Sequence, residues 1–142
     1  SILKVKINYE WSIFIMTIQF NHTIISAHDN KASANFLAEI LGLPKPTKFG
    51  PFIVVQTQND VSLDFRTTAE KIHPRHYAFL VSESEFDDIF KRVQNKNLTY
   101  WAEHTREKPG EINHYDGGRG FYFNDPNGHF LEVITQPYGE AR

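Results

Sequence analysis

The feature that most restricts this chain is a duplication of pattern. Each half reads as strand, helix, then three strands, judged by hydrophobic periodicity. His22 and His76 fall in the first strand of each half, 54 residues apart. The helix faces superpose best at an offset of 53, which aligns Ser33 with Phe86, Phe36 with Ile89, Leu37 with Phe90 and Ile40 with Val93. One loop residue accounts for the difference. A period in this range points to tandem supersecondary units. Two βαβββ units, each with its helix on the convex face, make a curved sheet whose other face is open.

The 142 residues are one domain by length, enough for one ordinary core. Fifteen basic and 17 acidic residues leave a net charge of −2. That gives no basic field for nucleic acid and no polybasic membrane patch. No apolar run reaches the ~18 residues a membrane span needs. The chain has no cysteine, so disulfides, Cys-ligated zinc and thiol nucleophiles are excluded together. Seven histidines are available as metal ligands or proton carriers.

In residues 1–15, Leu3, Val5, Ile7, Tyr9, Trp11, Ile13 and Ile15 alternate with other residues in a strand pattern. Lys4, Lys6, Asn8, Glu10 and Ser12 break the continuous apolar stretch of a secretory signal, and the expected location is cytoplasmic. Residues 1–16 read either as a leader upstream of a natural start at Met16 or as an added edge strand. Ile18–Ser26 reads as the next strand. A helix follows from about Lys31 to Leu41, capped by Asp29 or Asn30, buried through Phe36, Leu37, Ile40 and Leu41, and ended by Gly42. Short strands are expected at Thr47–Phe49, Phe52–Gln56 and Val61–Arg66. The last points Val61, Leu63 and Phe65 inward and Ser62, Asp64 and Arg66 the other way.

The second half repeats this order. His76–Ser82 is a strand, and Ser82-x-x-Glu85 is a capping box, with Ser84 and Asp87 as a second candidate. The helix from about Glu85 to Asn95 places Phe86, Ile89, Phe90 and Val93 on one face. Strands are expected at about Thr99–Glu103, Gly118–Asn124 and His129–Thr135. Asp125, Pro126 and Gly128 suit a type I turn between the last two. In the last strand Leu131, Val133 and Thr135 point one way; Phe130, Glu132 and Ile134 point the other. Glu132 is thus a carboxylate inside an apolar strand, expensive unless a donor or cation meets it.

These stretches, above all FYFNDPNGHFLEVIT with NHTIIS and HYAFLVS, resemble the vicinal oxygen chelate superfamily over Thr17 to about Tyr138. That superfamily includes glyoxalase I, fosfomycin- and bleomycin-resistance proteins and extradiol dioxygenases. The resemblance implies an α+β fold of two tandem βαβββ modules (about 17–67 and 75–138), forming a curved mixed sheet cup around a divalent metal. The family's ligand positions fall on His22, His76 and Glu132. The residues alone lead to the same three: two imidazoles and a carboxylate on an open face make a facial triad suited to Fe, Mn, Zn or Ni. The plainer alternative is a metal-free polar cluster in which the histidines bond Glu132.

Asp64 lies near the fourth-ligand position of glyoxalase-like members. It is one methylene shorter than the usual glutamate, and pairing with Arg66 or Arg119 is its alternative. The loop Trp101–Arg119 is expected to shape the pocket, with His104, Arg106, Glu111, Asn113, His114, Tyr115 and Arg119 in it. Arg119 could clamp a substrate carboxylate or phosphonate. Tyr115, Tyr122 or His114 could donate to a developing oxyanion. Phe52, Phe121, Phe123 and Trp101 read as core or pocket wall, and His28, His73 and His129 as surface or turn residues.

The leading expectation is a metal-dependent lyase, isomerase or thiol transferase acting on a small oxygen-bearing substrate or drug. A non-catalytic sequestering protein and an extradiol dioxygenase are the rivals. The resemblance further implies a homodimer, because related sites are often completed by both chains.

Overall fold

The computed structural model describes residues 18–139; the alternating segment 1–15 lies outside the described residues. Eight strands and two α-helices follow the duplicated order: β1 (His22–Ala27), α1 (Asn30–Leu41), β2 (Thr47–Phe49), β3 (Phe52–Gln56) and β4 (Ser62–Thr67). The second module runs β5 (His76–Leu80), α2 (Glu83–Asn95), β6 (Tyr100–Trp101), β7 (Gly120–Asn124) and β8 (Phe130–Ile134). Each module is its own four-stranded mixed sheet, ordered β1-β4-β3-β2 and β5-β8-β7-β6. Within each, the helix carries the chain across so that the first strand pairs with the fourth in parallel. The remaining neighbours are antiparallel. The expected α+β pair of βαβββ units is therefore present, divided between two sheets.

Local chemistry explains the helix limits. Asp29 caps α1 by accepting from the Ala32 N–H at 3.0 Å. Gly42 ends it with a left-handed φ of 69°. The face α1 buries is built of small residues more than expected. Ser33, Ala34 and Ala38 are buried with Leu37 and Ile40, whereas Phe36 and Leu41 are only half-buried. Small side chains let the helix lie close to its sheet. At α2, Ser82 and Glu85 form the complete capping box, so the helix begins at Glu83. Phe86, Ile89 and Val93 are buried, and Phe86 meets Phe121 edge-on at 5.4 Å. Such side chains contribute about 1.5–3 kcal/mol each by burial.

The modules are clamped by the turn before β8. The sequence reads His129 as a surface or turn residue; the structure keeps it next to the turn but buries it to 1% exposure. Its Nδ1 accepts from the Arg75 N–H at 3.0 Å, and Nε2–H donates to Ser26 O at 2.8 Å, so the ring is neutral and spans both modules. Asn127 reinforces it by donating to Ser33 Oγ and accepting from the His28 N–H. Turn-like composition gave no sign of these partners, which lie 54 and 103 residues away.

Candidate metal centre

Glu132 projects from β8, the second strand of its sheet, where it is 1% exposed. In the parallel β5–β8 register Ala78 lies opposite Glu132 and His76 opposite Phe130, which makes His76 and Glu132 diagonal neighbours on one face. His76 Nε2 stands 3.0 Å from Glu132 Oε1. The other ring nitrogen, Nδ1, lies 3.0 Å from the Phe130 carbonyl. A carbonyl can only accept, so Nδ1 carries the hydrogen. A neutral ring then turns its Nε2 lone pair toward a carboxylate oxygen. That contact is repulsive unless a proton or a metal cation lies between them. Glu132 Oε2 is buried without a hydrogen-bond partner. An imidazole anchored through its far N–H to a backbone carbonyl, beside an orphaned carboxylate oxygen, is the donor set expected of a divalent cation site.

The first module carries the same diagonal. Ile24 lies opposite Asp64 and His22 opposite Ser62 in the parallel β1–β4 register. Asp64 Oδ1 is also buried and unpartnered; it and Glu132 Oε2 are the two such atoms among the described residues. His22 bonds Asn21 Oδ1 at 2.8 Å. Convergence of His22, His76 and Glu132 within one chain is not what the structure shows. His22 and Asp64 lie on the other sheet, and among the described residues no three His, Asp or Glu side chains gather around one point. Repetition of a module repeats its half-site, but it does not turn the two halves toward each other.

A cleft of about 750 Å³ opens over the His76–Glu132 pair, bounded also by Glu103, His104, Tyr115, Asp116, Tyr122, Phe130 and Tyr138. The Tyr122 and Phe130 rings stack at 5.2 Å and 12°. Tyr122 and Tyr138 share a hydroxyl hydrogen bond of 2.8 Å. Burial, and next the Glu132 charge, hold the Tyr122 phenol above its usual range. Tyr115 is also raised, because its hydroxyl bonds the Glu103 carboxylate.

The long loop supplies His104 and Tyr115 to this wall, as expected of it, and also Asp116, which had not been singled out. Arg119 does not line the cleft. Its guanidinium bonds Glu83 Oε2 at 2.7 Å and Asp87 Oδ1 at 2.8 Å, over the Phe86 ring at 4.3 Å. These carboxylates lie in the first turns of α2, where the sequence offered Asp87 only as a second capping-box partner for Ser84. Neither Arg66 nor Arg119 pairs with Asp64 among the described ion pairs. Asn113 is structural, donating to Ala102 O at 2.8 Å. Glu103 and Tyr138 were missed. Glu103 had been placed at the end of a strand that here stops at Trp101, and Tyr138 lies past the last strand.

Paired βαβββ modules with a histidine–carboxylate pair on one sheet define the class, and comparison with known proteins agrees. Residues 19–133 match the model of the Glyoxalase/Bleomycin resistance protein/Dioxygenase superfamily, and the chain belongs to that family. Among solved structures, Oxidase ChaP-H2 is 58% identical with a TM-score of 0.86, covering 89% of this chain and 100% of that one. Oxidase ChaP-H1 is 56% identical with a TM-score of 0.85, covering 87% and 99%. Glutathione transferase FosA of Serratia marcescens is 29% identical over 125 residues, 83% of this chain and 81% of the relative.

Proposed function

We propose that this protein is a metal-dependent oxidase whose substrate is a planar aromatic compound carrying two adjacent oxygens. The observation that carries this reading is the His76–Glu132 pair, with its orphaned oxygen, beneath a cleft walled by aromatic rings. Its likeness to two oxidases at 56% and 58% identity supports the reaction class. A two-histidine, one-carboxylate set with open positions suits a redox-active iron.

His76 and Glu132 would hold the cation from one chain and His22 from a second copy of it, completing that set. The metal, when bound, supplies Lewis-acid and one-electron chemistry to chelated oxygens. The Tyr122–Phe130 face orients a flat ring by stacking. Tyr122, kept protonated by burial and by Glu132, donates to an oxygen that gains negative charge. Glu103, already accepting from Tyr115, is a base in the wall for a released proton. With dioxygen as oxidant, a vicinal diol gives up two protons and two electrons, yielding a quinone and hydrogen peroxide.

A second reading, thiol transfer to an electrophile, is favoured by the likeness to FosA. Among the described residues of one chain the cleft lining holds no lysine or arginine to take an anionic electrophile such as a phosphonate, which places this reading behind the first. The experiment is dioxygen uptake by iron-loaded protein with 4-methylcatechol, alongside turnover of thiol and epoxide. Uptake with matching peroxide, lost in Glu132→Gln, is expected. Uptake without peroxide, with both oxygen atoms in a ring-opened product, would move the reading to the dioxygenase branch. Thiol adducts without uptake would favour the transferase.

A further inference from the structure

The cleft has an unusual charge balance. Among the described residues of one chain, Glu103, Asp116 and Glu132 line it, and no lysine or arginine does. Glu132 is committed to His76 and, in the proposed reading, to the cation, so Glu103 and Asp116 are the acids whose charge is open to a substrate. The walls add Tyr115, Tyr122 and Phe130, whose π-faces are the negative pole of an aromatic quadrupole. One cation already rests on this ring cluster: the Arg106 guanidinium lies 4.3 Å from the centroid of Phe130, outside the cleft lining. Lys108 reaches Glu103 only at 3.6 Å and is itself largely exposed, so that carboxylate retains field in the cleft. Carboxylates beside aromatic rings are the surroundings that bind organic ammonium groups, through charge attraction and cation–π contact together.

We infer that the cleft selects an ammonium-bearing aromatic substrate, with Glu103 and Asp116 as the specificity-determining pair and the rings as the seat of the cation. This rests on the proposed reading for the chelating end of the substrate only. Glu103, half-buried and tied to Tyr115, is the fixed member of the pair. Asp116, exposed and held at a left-handed φ of 55°, is at the rim. A carboxylate-bearing analogue of the same size meets repulsion from Glu103 and Asp116. The field of Glu103 and Asp116 is screened by salt, because both face solvent.

The test is equilibrium binding to zinc-loaded protein, which is redox-inert, using three catechols of one size. These carry an aminoethyl, an ethyl or a carboxymethyl group at the 4-position. Phenethyltrimethylammonium, which has no vicinal oxygens, is the fourth probe. The aminoethyl catechol is expected to bind roughly tenfold or more tighter than the carboxymethyl one at low salt. The ratio should fall toward unity in Glu103→Gln/Asp116→Asn, with the ethyl compound unaffected. Equal binding of the three catechols, or a ratio unchanged in the double variant, would overturn the inference while leaving chelation standing. Binding of the trimethylammonium probe alone, weakened in the variant, would support the inference and remove the chelation reading. Failure of all four probes to bind would refute both.

Discussion

Replacing Glu132 by methionine is expected to raise the stability of the metal-stripped protein while abolishing its response to metal. Glu132 is 1% exposed and one of its oxygens has no partner. An unsatisfied buried acceptor costs about 1–3 kcal/mol, and removing it recovers that amount. The contact with His76, attractive without metal only when a proton lies between the two groups, is lost in exchange, but that imidazole is 48% exposed, so the pair is worth at most about 1 kcal/mol after screening. Methionine has nearly the same volume and brings an apolar, adaptable chain to the site. The balance favours the variant by roughly 1 kcal/mol, in line with exchanges of buried ionic groups for apolar ones. For a domain of this length that corresponds to a rise of about 3–5 °C in Tm. Saturating metal reverses the order, because ligand at one hundred times its Kd stabilises the parent by about 2.7 kcal/mol and the variant not at all. Calorimetry with chelator and then with zinc reads both halves. A chelator-treated variant that melts at or below the parent would refute the argument that this carboxylate is held at a cost for metal.

Other outcomes follow from the same contacts. If each metal centre is shared between two copies, mixing inactive His22→Ala and Glu132→Gln chains should restore about a quarter of parent activity, since half the dimers then carry one intact site; no recovery after exchange of subunits would place the site within one chain. His129→Leu orphans the Arg75 N–H and the Ser26 carbonyl, each at about 1–3 kcal/mol, and should lower Tm by roughly 10 °C. A shift below about 3 °C in a circular dichroism melt would mean that water takes the ring's place. Tyr77 and Tyr122 are raised chiefly by burial and Tyr115 chiefly by Glu103, so three of the six tyrosines should resist ionisation in an absorbance titration. Raised phenols bind protons in the folded state that the unfolded chain releases near pH 10, so their contribution to stability is whole below about pH 10 and is lost as pH climbs further.

Much of the fold was legible because its signals are local. The capping box at Ser82, the αL glycine at Gly42 and the i, i+3, i+4, i+7 face of Phe86, Ile89, Phe90 and Val93 need no distant partner. The strand limits at β6 were not legible, since a long loop folds back through the Trp101–Pro109 bridge and cuts the pairing short. His129 and Arg119 were misjudged for one reason. Each is defined by what it bonds across the fold, and composition carries no record of that.

From the residue pattern alone came the two modules, the polar acid within each apolar strand, and the histidine that could meet it. Periodicity sets which way a side chain leaves its own strand, and that property belongs to the chain itself. The tertiary structure decided which pairs meet: His76 with Glu132 in one sheet, His22 and Asp64 in the other, and Arg119 bound to α2 instead of substrate. Distance between sheets depends on how helices and turns pack, an energy summed over many weak contacts that no short stretch of sequence contains.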